Sequence, residues 1–130
     1  MKKLIFIDDD PIDHFLMKHL LGEKNYTNNT TFTMNGELVL DYIEENKLHP
    51  QKLPDVIFLD LKMPVFSGWD FLDRMKLLHP QIAKNIKVYV MSSSVRLKDK
   101  ERSSRYGFVS SFISKPIKQL EIEQIVEGDY

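Results

Sequence analysis

No cysteine occurs anywhere in the chain, which removes disulfides, thiolate metal centres and cysteine nucleophiles together. An excess of either charge is also missing. Eighteen lysines and arginines face nineteen aspartates and glutamates, for a formal net charge of −1, so no overall field draws the chain to nucleic acid or to an anionic membrane. Long apolar runs are absent as well. The stretch after Lys2 and Lys3 is only Leu4 to Ile7, and three aspartates follow it directly. An export signal needs a longer apolar region and a small-residue cleavage site, and a membrane span needs about 20 apolar residues. A soluble, cytoplasmic protein is expected.

What is present is an ordinary globular balance, 42% hydrophobic and 28% charged over 130 residues, enough for one domain with a proper core. No internal repeat, low-complexity stretch or separating linker interrupts it. One domain over residues 1–130 is expected.

Four short runs read as strands. Leu4-Ile5-Phe6-Ile7 and Val56-Ile57-Phe58-Leu59 are continuous apolar runs rich in β-formers, as strands covered on both faces are, and Ile86 to Met91 and Val109 to Ile113 read as further strands. Thr30 to Met34 adds a threonine-rich strand. Between these runs lie helical patterns. Asp10-Pro11 reads as an N-cap followed by proline at the first helical position. Ile12, Phe15, Leu16, His19 and Leu20 then recur at helical spacing to about Gly22, a candidate stop. After a turn at Asn35-Gly36, the residues Leu38, Val39, Tyr42 and Ile43 mark a second helix, and Lys47 to Pro54 a loop. Trp69, Leu72, Met75 and Leu78 mark a third helix, closed by His79-Pro80. Residues 95–106 are charged and helix-compatible up to Gly107, and Ile117, Leu120, Gln124 and Ile125 outline a last short helix. Strands alternating with helices predict an α/β fold, a parallel sheet with helices on both faces.

The polar residues that break this pattern stand at strand ends. Asp8, Asp9 and Asp10 follow the first strand, Asp60 the third, Ser92 the fourth and Lys115 the fifth. In an open parallel sheet these ends share one edge, where such folds bind ligands. Several carboxylates at close range raise one another's pKa, and a divalent cation relieves the repulsion. With hard oxygen donors only, the cation expected is Mg²⁺, which typically bridges carboxylates to a phosphate. A carboxylate can then act as nucleophile toward phosphorus, with Lys115 and Ser92 stabilising the phosphoryl oxygens. The histidines at 14, 19, 49 and 79 have no ligand spacing, and no glycine-rich phosphate loop follows a strand. The basic residues at 96, 98, 100, 102 and 105 interleave with Asp99 and Glu101, as on a solvated face. The six methionines fit core filling.

Together, Asp8-Asp9-Asp10-Pro11, Leu59-Asp60-Leu61-Lys62-Met63-Pro64 with Gly68, Ser92-Ser93-Ser94 and Lys115-Pro116 resemble the receiver domains of two-component response regulators, over essentially the whole chain. The resemblance implies a flavodoxin-like, doubly wound five-stranded sheet of order 2-1-3-4-5. It implies Asp60 as phosphoacceptor, Asp9 as direct Mg²⁺ ligand, Asp8 acting mainly through water, and Lys62 giving its backbone carbonyl to the metal. Ser92 and Phe112 take the switch positions, Lys115 the conserved-type lysine position, and Pro64, Gly68 and Pro116 structural ones, with Pro116 after a cis peptide bond. The implied partners are a sensor histidine kinase or histidine phosphotransfer protein and a downstream protein reading the fourth helix, fifth strand and fifth helix. No output domain is expected after that helix. A stand-alone phosphoacceptor module is expected rather than an enzyme. The alternative is a Mg²⁺-dependent phosphohydrolase with an aspartyl-phosphate intermediate, but such enzymes usually carry an acid where Lys62 stands. Asp10, a third acid beside the usual pair, departs from the family pattern.

Overall fold

The computed structural model describes residues 1–94 and 96–128. Five strands, β1 (Leu4–Ile7), β2 (Thr30–Thr33), β3 (Val56–Asp60), β4 (Lys87–Ser92) and β5 (Val109–Ser114), form one sheet. Every pairing is parallel and the order is β2-β1-β3-β4-β5. Five helices alternate with them: α1 (Pro11–Gly22), α2 (Gly36–Glu45), α3 (Gly68–Leu78), α4 (Leu97–Ser104) and α5 (Gln119–Glu127). This is the flavodoxin-like arrangement, as expected. Residue 95, at the head of the expected fourth helix, and residues 129 and 130 lie outside the described residues.

The continuous apolar strands are buried on both faces, as their composition demands. Every residue of β1 and β3 is buried. Two cores result. Ile5, Ile7, Ile57, Leu59, Val88 and Val90 point to one face and pack with Leu40, Ile43, Phe71, Leu72 and Met75 of α2 and α3. Leu4, Phe6, Phe58, Tyr89 and Met91 point to the other and pack with Met17, Leu21, Ile122, Ile125 and Val126 of α1 and α5. Alternation along each strand divides the two sets. Four of the six methionines, Met17, Met63, Met75 and Met91, are in these cores.

Three helix faces differ from the reading of the sequence. In α1 the buried residues are His14, Met17 and Leu21, whereas Ile12, Phe15 and Leu16 are 67%, 73% and 43% exposed. Both sets have helical spacing. A histidine counted as polar concealed which of them faces the sheet: His14 packs edge-on against Phe6, with ring centroids 5.1 Å apart. In α2, Val39 and Ile43 are buried but Leu38 and Tyr42 are exposed; in α5, Leu120 is exposed and Ile122 takes the inward position. Asn35-Gly36 is a helix start rather than a free turn, because the Asn35 side chain accepts from the Leu38 N–H. Gly22 is the last residue of α1, but the left-handed residue beyond it is Asn25, at φ 60°.

The loop between β3 and α3 is tightly drawn. The Gly68 N–H donates to the Leu61 carbonyl at 3.0 Å. A Cβ on Gly68 would lie 2.6 Å from both the Asp60 carbonyl oxygen and the Leu61 Cα, closer than packed atoms approach. Val65, at the exposed tip, has φ 41°, a left-handed value that strains a β-branched residue by roughly 1–3 kcal/mol. The Ser67 hydroxyl and the Asp70 carboxylate then close a capping box that starts α3. Pro64 is exposed within this loop.

Gly68→Ala is expected to destabilise the protein by about 2–4 kcal/mol, through overpacking against immobile backbone. Gly107→Ala, where an added Cβ meets nothing within 4 Å, should change stability by less than about 0.5 kcal/mol. Denaturant unfolding of the two variants side by side checks this; equal midpoints would contradict it.

Candidate functional site

The parallel sheet places the ends of β1, β3, β4 and β5 along one edge, and the side chains there converge. Asp8, directly after β1, is fully buried, and Asp60, the last residue of β3, is 4% exposed. Asp9 is half-buried beside them. Each of these three acids offers a carboxylate oxygen, and the three oxygens lie within 4.8 Å of one another.

A single ammonium sits among them. Lys115 Nζ is 2.7 Å from Asp8 Oδ2, 2.7 Å from Asp13 Oδ2 and 3.2 Å from Asp60 Oδ1. Lys115 follows β5, and its own N–H donates to the Ser92 carbonyl at 2.9 Å, which ties the loop to the end of β4. The Lys115–Pro116 peptide bond is cis, as expected. Asp8 Oδ1 accepts from the Asp10 N–H at 2.9 Å and Asp60 Oδ1 from the Lys62 N–H at 3.4 Å. Asp10 is exposed and caps α1 by accepting from the Ile12 N–H. Above these groups opens a cleft of about 340 Å³ lined by Asp9, Asp10, Asp13, Asp60, Lys62 and Lys115, among others.

The electrostatics follow from burial. Burial pushes the Asp8 carboxyl up to about 7, against hydrogen bonds from Lys115 and the Asp10 N–H that pull it down. Burial likewise raises Asp60, opposed by Lys115 and the Lys62 N–H and reinforced by the negative charge of Asp9. Burial works against the charged form of Lys115, but hydrogen bonds to Asp13 and Asp8 and the charges of Asp60 and Asp8 outweigh it and raise its pKa. One cation therefore serves more carboxylates than it can neutralise. A second, hard cation fits the three oxygens of Asp8, Asp9 and Asp60, and the donor set is that of Mg²⁺ rather than of a softer metal.

Ser92 is buried at the end of β4, yet its hydroxyl is engaged by its own loop. It donates to the Ser94 carbonyl at 3.0 Å and accepts from the Ser94 N–H at 3.1 Å. Phe112, on β5 opposite Val90, is half-buried against the core beneath α3. Two residues at the site escaped the reading of the sequence. Asp13 reaches Lys115 from the first turn of α1, and His14 donates from Nε2 to the Asp8 carbonyl at 2.7 Å. An acid one helical turn beyond the capping Asp10 was the available signal for the first. For the second, the signal was a histidine at the spacing of Met17 and Leu21.

Residues 4–127 match the response regulator receiver domain family. The chain belongs to that family. This receiver domain is 28% identical over 126 residues to the sporulation initiation phosphotransferase F of Bacillus subtilis, a match covering 97% of this chain and 91% of the relative. It superposes on a two component response regulator from Cytophaga hutchinsonii with TM-score 0.82 and 22% identity, covering 96% of this chain and 93% of that one. It also superposes on the receiver domain of a Pseudomonas aeruginosa sensor histidine kinase, with magnesium coordinated in its active site cleft. There the TM-score is 0.74 and the identity 16%, over 97% and 94% of the two chains. Some curated relatives are far longer: the receiver domain spans 15% and 7% of two of them, from Dictyostelium discoideum. Among the described residues no helix is long and apolar enough to cross a membrane.

Raised carboxylate pKa values have a signed consequence. An acid whose folded pKa exceeds its unfolded value stabilises the fold most at low pH, and that contribution is lost as the pH rises through the folded value, here through about 7 for Asp8. Bound Mg²⁺ favours the ionised carboxylates. The gain in melting temperature on adding Mg²⁺ is therefore expected to be larger at about pH 8 than at about pH 5.5. Thermal unfolding with Mg²⁺ and with chelator at both pH values tests it, and an equal or reversed gain would contradict it.

Proposed function

We propose that this receiver domain takes a phosphoryl group onto Asp60 from the phosphohistidine of a kinase or phosphotransfer protein, and signals by a phosphorylation-dependent change in protein contacts. The observation that carries this reading is the setting of Asp60. It is a buried carboxylate at a strand end, 3.2 Å from an ammonium and within 4.8 Å of oxygens on two other acids. One buried carboxylate would be satisfied by the ammonium alone; the two further acids beside it are what a structural ion pair does not require.

In the transfer, an Asp60 oxygen forms the new bond to phosphorus as the bond from phosphorus to the donor's imidazole nitrogen breaks, and that nitrogen keeps the bonding pair. Asp9, Asp60 and the Lys62 carbonyl would hold Mg²⁺ directly, with Asp8 acting mainly through water. When bound, the ion offsets the negative charge that otherwise repels an incoming phosphoryl group. Lys115 presents its ammonium to the phosphoryl oxygens, work that is mostly positioning and charge stabilisation. The chemistry asks little else of the chain, and a lysine at position 62 is consistent with an acceptor rather than a phosphohydrolase.

The response begins at Ser92. Its hydroxyl exchanges the Ser94 carbonyl for a phosphoryl oxygen, the loop after β4 moves, and Phe112 turns into the space released. What supports α4–β5–α5 as the reading surface is how lightly α4 is held. Ser103 is the one buried residue among its eight, and no side chain caps its N-terminus. Its main anchors to α3 lie at one end, where the Arg102 guanidinium sits 4.0 Å over the Trp69 ring and the neighbouring Tyr106 hydroxyl donates to Asp73. Such an element shifts at small cost. On the other side of the cleft, the exposed Ile12, Phe15 and Leu16 of α1 continue from the acid pocket and suit docking of the protein that carries the phosphohistidine.

Incubation with Mg²⁺ and phosphoramidate is expected to add one acid-stable, base-labile phosphoryl group, lost with chelator and lost in Asp60→Asn. Undiminished labelling of Asp60→Asn would overturn the assignment, and multiple turnover of phosphomonoesters would favour the hydrolase.

A further inference from the structure

Lys115 has three N–H donors and three carboxylate partners, Asp8 at 2.7 Å, Asp13 at 2.7 Å and Asp60 at 3.2 Å. Two of the donors are hydrogen-bonded to Asp8 and Asp13 and the ammonium faces Asp60 as an ion pair, so it is engaged on all three acids before any phosphoryl group arrives. If Lys115 is to bond a phosphoryl oxygen, as the reading of Asp60 above requires, one of the three contacts has to be given up.

The three partners differ in what that release costs. Asp8 is wholly buried, and a buried carboxylate stripped of its cation is left uncompensated. Asp60 is itself the group that becomes phosphorylated, so its oxygens stay at the site. Asp13 is the most accessible of the three, with its side chain 23% exposed against 0% for Asp8 and 6% for Asp60. It stands on the rim of the cleft, in the first turn of α1, where the helix N-terminus favours a negative charge whether or not Lys115 is near. Asp13 surrenders the ammonium to water and the helix end at the lowest cost.

We infer that Asp13 is a resting counter-ion for Lys115, a positioning residue that holds the ammonium until the phosphoryl group displaces it. The carboxylate of Asp13 and the phosphoryl oxygens compete for the same N–H groups. Asp13 therefore biases the site against capture of the phosphoryl group and sets how strong a donor the domain needs. Its position on the lysine rather than among the oxygens of Asp8, Asp9 and Asp60 separates this role from that of a metal ligand.

Beryllofluoride, a stable phosphoryl mimic, tests the inference when its binding is followed by ¹⁹F NMR in saturating Mg²⁺. Asp13→Asn is expected to bind it about fivefold more tightly than the wild type, the scale of one hydrogen bond freed from competition. Asp10→Asn is the charge control. It removes an equal charge from the same helix start, preserves the N-cap and touches Lys115 in neither form. Its affinity should rise clearly less, and Asp13→Glu, which restores the competing carboxylate, should return toward the wild type. With Mg²⁺ alone, both asparagine variants should lose affinity to a similar degree. Equal tightening in Asp13→Asn and Asp10→Asn, or weaker binding in Asp13→Asn than in the wild type, would overturn the inference. So would a selective loss of Mg²⁺ affinity in Asp13→Asn, which would make Asp13 a metal ligand. Asp13→Ser provides a second neutral variant should the asparagine fold poorly. Failure of the wild type to bind beryllofluoride at all would instead overturn the reading of Asp60, and this inference with it.

Discussion

One ammonium among too many carboxylates is the condition on which the rest of this molecule turns. Lys115 contacts Asp8, Asp13 and Asp60, and Asp9 has an oxygen within 4.8 Å of those of Asp8 and Asp60. Two of these acids are buried, where ionisation is costly without a partner. The sheet order makes the arrangement demanding. β5 lies three strands from β1, with neighbours about 4.8 Å apart, so Lys115 must turn back across the end of β4 to reach Asp8. The hydrogen bond from its N–H to the Ser92 carbonyl holds it over that strand. The ammonium thereby joins the ends of β1, β3 and β5, and the residual negative charge leaves the cleft suited to a further cation.

The same edge connects the site to the surface. Ser92, whose carbonyl receives Lys115, has its hydroxyl tied into the loop that leads to α4. α4 contributes little to either core, whereas α3 places Phe71, Leu72 and Met75 in one of them. Rigidity and freedom are thus divided. The tight β3–α3 loop, closed by Gly68 against the Asp60 backbone, fixes Asp60, whereas α4 buries one residue of its eight. Under the proposed function, a change of charge at Asp60 would act first on what is lightly held.

Much of this was legible in the chain because the informative residues break a pattern. An aspartate ending an apolar strand, as Asp60 does, is conspicuous in a way that an aspartate within a helix is not, and that contrast hid Asp13. The first turn of a helix favours acids for reasons of its own, so nothing at Asp13 pointed to a contact 102 positions away. The exposed side of α1 was concealed for another reason. Periodicity reports that a helix has an apolar stripe, but α1 carries two, Ile12-Phe15-Leu16 outside and Met17-Leu21 with His14 inside. Only the sheet decides between them, through Phe6 and Phe32 around the histidine ring. The orientation of the Ser92 hydroxyl was not legible at all, since a choice between a loop carbonyl and the cleft rests on backbone geometry within a few residues.

Reductive trapping tests the central claim most directly. Borohydride converts an aspartyl phosphate to homoserine, and peptide mass spectrometry of protein treated with Mg²⁺ and phosphoramidate locates the residue changed. Homoserine is expected at position 60 alone and only when Mg²⁺ is present. Homoserine at Asp8, Asp9 or Asp13, or trapping that persists undiminished in chelator, would contradict the account.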